Sequence, residues 1–103
     1  MVIIGEITKV TEIRKVEFQK RDGSKDEADC QGIVVKSCED EIYVEAFGDI
    51  VEKLKEQGMQ MGDVVQMSAS CSVRERKGEK GIFHSNNLRL NGMQFIIKKD
   101  RAF

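Results

Sequence analysis

The sequence predicts an all-β domain, a five-stranded Greek-key barrel with one short helix between its third and fourth strands. Three observations carry that reading. The order of patterns along residues 42–96 is strand, helix, strand, hairpin, strand. The strand after the helix alternates with period two over most of its length. The helical stretch is short, amphipathic and bounded at both ends by stop signals.

The elements follow in order. Val2–Val10 holds Ile3, Ile4, Ile7 and Val10 around Gly5, the pattern of a curved first strand whose glycine turns a barrel corner. Residues 12–20 continue it, with Ile13, Val16 and Phe18 among charges. Arg21-Asp22-Gly23-Ser24 is a turn, because Asp-Gly accepts positive φ at low cost. Residues 30–36, dense in Ile33, Val34 and Val35, read as the second strand, and residues 41–47 as the third. The helix is expected over residues 49–57, with Asp49 as cap, Glu52 completing a capping pair, and Gly58 as stop. Ile50, Val51 and Leu54 form its apolar stripe. At this length it is too short to stand alone, so the stripe must cap a barrel end, with Met59 and Met61 packed beneath. In the fourth strand Val65, Met67, Ala69, Cys71 and Val73 face the core, while Gln66, Ser68, Ser70, Ser72, Arg74 and Arg76 face water. Lys77-Gly78-Glu79-Lys80-Gly81 turns the chain into the fifth strand, where Leu88 and Leu90 point inward. This element order is that of the OB-fold, which binds oligomers across its open face.

The 103 residues form one domain over residues 1–97 and a basic tail over 98–103, with no proline, linker or repeat between them. No leader pattern precedes Val2-Ile3-Ile4, and no apolar run nears the ~20 residues of a membrane span, so a soluble cytoplasmic protein without a membrane partner is expected. Cys30, Cys38 and Cys71 include no CxxC pair; reduced thiols are expected, with neither a disulfide scaffold nor a metal centre. His84, the single histidine, has no nucleophile or acidic orienter at recognisable spacing, and no phosphate-binding glycine loop or calcium loop occurs. A non-enzymatic protein without cofactors is the expectation.

The net charge of −1 is unevenly spread. Residues 9–25 carry six cations against three acids, residues 26–63 three against eleven, and residues 64–103 eight against three. One basic and one acidic side would suit a polyanion. A single-strand binding surface pairs cations with stacking rings. The candidate cations are Arg14, Lys15, Lys20 and Arg21 on one hairpin and Arg74, Arg76, Lys77 and Lys80 on another. The candidate rings are Tyr43 and Phe47, four apart on one face of a strand, with Phe18 and Phe83 beside the hairpins. For each Phe the core is the competing place. Tyr43, with its polar handle, is the ring expected to be exposed.

Val44-Glu45-Ala46-Phe47-Gly48-Asp49-Ile50, then Gly62-Asp63-Val64-Val65, the basic hairpin, and Asn91-Gly92-Met93-Gln94-Phe95-Ile96 resemble the core of bacterial single-stranded DNA-binding proteins, above all their short, tailless relatives. The resemblance covers about residues 42–96 and, more loosely, 5–35. It implies that Phe47 is a base-stacking ring and that Lys77 and Lys80 lie on the hairpin that wraps the bound strand. It also implies single-stranded DNA, more readily than RNA, as the partner, bound without sequence preference in replication, repair or recombination. Two departures stand beside it. Glu41 lies six residues before Phe47, where the family commonly has tryptophan, and the chain ends basic, so recruitment of partners by an acidic tail is not expected. A primosomal-type accessory protein of this fold fits those departures. A homodimer or homotetramer is expected, because a small barrel leaves strand edges open and the first strand and residues 93–97 are apolar. The rival function is a protein-interaction or oligosaccharide-binding module using the acidic segment around residues 39–56. Carboxylates sharing a groove with Arg74, Arg76 and Lys77 would favour it.

Overall fold

The computed structural model describes residues 1–99. Among them lie six strands and one helix: β1 (Val2–Val10), β2 (Arg14–Gln19), β3 (Lys25–Ser37), β4 (Asp40–Phe47), α1 (Asp49–Gln57), β5 (Val64–Gly78) and β6 (Gly81–Ile97). The strands lie in the order β1-β5-β6-β4-β3-β2, and a further β1–β3 pairing closes the ring. The seam between β4 and β6 is parallel and rests on one pair, Glu45 with Arg89.

Six strands appear where five were expected because the first one breaks. Val2 to Glu6 pair with β5, and Glu6 to Val10 pair with β3. Gly5 sits at that change of partner, and a Cβ there would strike Val35 and the Lys36 carbonyl. Thr11 then interrupts the ladder: its hydroxyl accepts from the Gly32 N–H (2.8 Å) and its carbonyl from the Gln31 side chain (3.1 Å). β2 resumes along the same partner, Arg14 opposite Cys30 through Gln19 opposite Lys25. β1 and β2 are therefore one bent barrel strand. β3 begins five residues before the expected strand, since Lys25 to Asp29 carry no apolar pattern and are held extended by β2.

The core comprises Ile3, Ile7, Ile33, Val35, Val44, Ala46, Val65, Met67, Ala69 and Leu90, closed at one end by Val51 and Leu54 of α1. Burying each of those two helix side chains contributes about 1.5–3 kcal/mol, which fixes an otherwise marginal helix. Asp49 does not cap that helix. Gly48 is the N-cap, at φ 56° and ψ −122°, and Asp49 is the first helical residue. The chain turns this sharply because Gly48 also donates its N–H to the Asp29 carbonyl (2.9 Å). At the other end Gly58, at φ 71°, donates to Lys55 and Met59 donates to Leu54, the two bonds of a Schellman stop. Met59 packs against the core, but Met61 is exposed.

Beyond Ala69 the alternation of β5 persists while its burial ends. Cys71 and Val73, expected in the core, are exposed, because β5 and β6 leave the barrel as a two-stranded ribbon in which residues 70–86 all face water. The fully buried Asp63 ties down the opposite end: its carboxylate accepts the N–H of Gln60 (3.0 Å) and of Lys99 (2.8 Å). The Lys98 ammonium donates to the Gln57 carbonyl and lies 4.5 Å from the Phe95 ring centre. Lys98 and Lys99, expected to begin a loose tail, are thus anchored, and Asp100, Arg101, Ala102 and Phe103 lie outside the described residues. Among the described residues, no helix is long and apolar enough to cross a membrane.

Candidate functional site

Pairing register places one row of side chains across three strands: Arg14 on β2, Cys30 on β3 and Phe47 on β4. Period two then brings Val16 and Phe18 to the same side as Arg14, and Tyr43 and Glu45 to the same side as Phe47. Of these, Arg14, Val16, Phe18, Glu45 and Phe47 border a groove of about 980 Å³, whose walls are completed by Ile50 and Lys53 of α1, Arg74 of β5 and Arg89 of β6.

The groove gathers four of the twelve residues singled out in the sequence: Arg14, Phe18, Phe47 and Arg74. Phe18 is 46% exposed, and Phe47 is half-buried beneath Arg89, whose guanidinium carbon lies 5.3 Å from the ring centre. Tyr43 is exposed outside the groove and its ring covers Gly32, where any Cβ would meet it. It raises the pKa of Arg14 more than any other neighbour does.

The remaining candidates sit elsewhere. Lys15 pairs with Asp29 (2.6 Å), which raises the lysine pKa and lowers that of the aspartate. Lys20 pairs with Asp26 (3.1 Å), and Arg21 occupies the turn beyond it. Arg76 shares the ribbon face of Arg74 and stands opposite Phe83, which is 58% exposed. Lys77, opposite Ile82, points to the other face, and Lys80 is in the ribbon's tip turn.

Sequence reasoning missed Arg89 and Lys53. Leu88 and Leu90 flank Arg89 and mark it as outward, but only the single-pair β4–β6 seam determines which outer surface it joins. Lys53 reads as the solvated face of a helix, and nothing local reveals that this face borders a groove. The groove also holds Glu17, Glu45 and Asp49. Glu45 is engaged: one oxygen accepts from the Arg14 guanidinium (2.8 Å) and from the Cys30 thiol (3.3 Å). Burial, and secondly that bond, push the Cys30 thiol up to about 11. With Glu45 answered by Arg14, the groove has Lys53, Arg74 and Arg89 against Glu17 and Asp49, and two ring side chains. Among the described residues, no three His, Cys, Asp or Glu side chains cluster to hold a metal ion. The site can therefore offer stacking surfaces and charge-assisted hydrogen bonds.

No family model matches the chain, and no curated protein matches it. Solved structures do. The mitochondrial single-stranded DNA binding protein Rim1 of S. cerevisiae superposes with a TM-score of 0.67 at 11% identity, over 98% of this chain and 96% of that one. The second OB-fold domain of replication protein A from Methanococcus maripaludis gives 0.56 at 18% identity, over 97% of this chain and 86% of that one. At such identities the likeness defines the fold, and the chain is an OB-fold barrel with one helix.

Proposed function

We propose that this protein binds single-stranded nucleic acid, DNA in the first place, without sequence preference and by base stacking plus phosphate contacts along the groove. The observation that carries the reading is the meeting of Phe18 and Phe47 with Arg14, Lys53, Arg74 and Arg89 on the open side of the barrel. Rings and cations in one groove are what a sequence-tolerant single-strand site requires. The shared fold of Rim1, a mitochondrial single-stranded DNA binding protein, supports the same reading. The strand's path continues onto the ribbon face bearing Arg74, Arg76 and Phe83. Replication, repair or recombination is the setting such an activity serves, in a self-associating protein.

The test is titration of a labelled oligothymidine at low salt. About four phosphate contacts give a slope of log K against log salt near −3, from roughly −0.7 per contact on single strands. A folded protein that leaves the oligonucleotide free at tens of micromolar defeats the proposal. One observation favours the rival module: Glu17 and Asp49 share the groove with Arg74. Arg76 and Lys77 lie outside it, and Glu45 is neutralised by Arg14, so the balance still favours a polyanion. Binding of a basic peptide or a neutral oligosaccharide in place of oligothymidine would select the rival.

A further inference from the structure

A second groove, of about 500 Å³ along Ser70, Ser72 and Asn91, meets the first at Ile50 and Arg89. A ligand that follows both grooves crosses Arg89. The guanidinium there is over the Phe47 ring, within the ~6 Å at which a cation is held by a π face. Phe47 is half-buried, and Arg89 lies over its ring where both line the groove. Glu45, its register partner across the seam, is taken by Arg14 and Cys30, and Arg89 makes no ion pair among the described residues.

We infer that Arg89, and not Phe47, presents the surface on which a nucleobase stacks, with Phe47 holding the guanidinium from below. This rests on the single-strand reading above. A guanidinium is planar, weakly hydrated and able to stack with one face while the other lies on an aromatic ring. Nucleobases stack on arginine planes as they do on rings. The arrangement also brings a positive charge to the strand at the point where the two grooves join. A lysine at the same place would keep the charge and lose the plane.

The experiment compares the wild-type protein with Arg89→Lys, Phe47→Leu and the double variant in oligothymidine titrations, after melts confirm that each is folded. Arg89→Lys is expected to weaken binding about tenfold, as loss of one stacked base does, while the slope against log salt stays unchanged. Phe47→Leu is expected to weaken binding by a similar factor, and the double variant to be no weaker than either single one. Full affinity in Arg89→Lys with a loss in Phe47→Leu would overturn the inference and assign stacking to Phe47 itself. Tighter binding by Arg89→Lys would make Arg89 a cover over the ring, and additive losses would make the two contacts independent. Should Phe47→Leu unfold, the exposed Arg89→Lys position decides alone. A folded wild-type protein that fails to bind removes the single-strand reading and this inference with it.

Discussion

Cys30 has no exposed surface, and its thiol donates to Glu45 under the groove. Its pKa of about 11 exceeds the ~8.5 of a free thiol, so it contributes stability that is complete below about 8.5 and is lost as pH rises through the folded value. The melting temperature should therefore fall between about pH 9 and 11, and less steeply in Cys30→Ala; equal slopes would refute this. Native protein treated with iodoacetamide should gain two adducts by mass spectrometry, on the exposed Cys38 and Cys71, with a third only after denaturation. Glu45→Gln tests the same cluster from the binding side. Releasing Arg14 should tighten oligothymidine binding at low salt and steepen the salt slope by about 0.7, whereas an unchanged affinity would count Arg14 out of the site. At this scale period two made Tyr43 and Phe47 legible as neighbours on one face. The two bonds to Glu45 were not legible, because they depend on three strands meeting in a register that no local pattern encodes.

The helix and its C-terminal stop follow from local chemistry, so α1 spans the expected residues 49–57. Only its cap differs, since the tight exit from β4 needs a backbone only glycine adopts readily, and Gly48 takes the capping position assigned to Asp49. A Cβ on Gly48 would meet nothing within 4 Å, so Gly48→Ala isolates the backbone term. It should destabilise the protein by about 1–3 kcal/mol in a denaturant titration, and a neutral result would mean that the turn relaxes. The β2–β3 ribbon shows what charge counting conceals. Lys15 and Lys20 belong to a basic block, Asp26 and Asp29 to an acidic one, and antiparallel pairing brings them together. Neighbouring hydrogen-bond donors and lysines lower the pKa of Asp26 and Asp29 below the unfolded values. Their contribution is therefore present above about pH 4 and lost as pH falls through the folded values. Amide exchange in β2 should accelerate below about pH 4 relative to the barrel strands, after correction for intrinsic rates, and uniform behaviour would argue against a ribbon held by these pairs.

For the whole molecule, element order was enough to specify the barrel, because a helix set between two alternating strands is compatible with few topologies. The ribbon was not foreseen as a projection: alternation in β5 continues past Ala69, and only the course of the barrel decides where burial stops. That projection gives the molecule a long axis of 51 Å and carries Arg76, Lys77, Lys80 and Phe83 out beyond the groove. The outer side of the β1–β5–β6 sheet is the other unpartnered surface. Val2 and Ile4 are 63% and 51% exposed, and Ile97 at the far edge is 61% exposed. Residues 2–5 of β1 pair with β5 on one edge and have no described strand on the other, and an apolar open edge invites a second strand. Self-association should therefore run through β1 and the end of β6, with a two-fold axis making each protomer cover its copy. Light scattering at high micromolar concentration should return at least a dimer mass. Ile4→Lys should return a folded monomer, since the side chain lies outside the core. A wild-type monomer at that concentration would reject the interface, and a dimer that survives Ile4→Lys would place it elsewhere on the barrel.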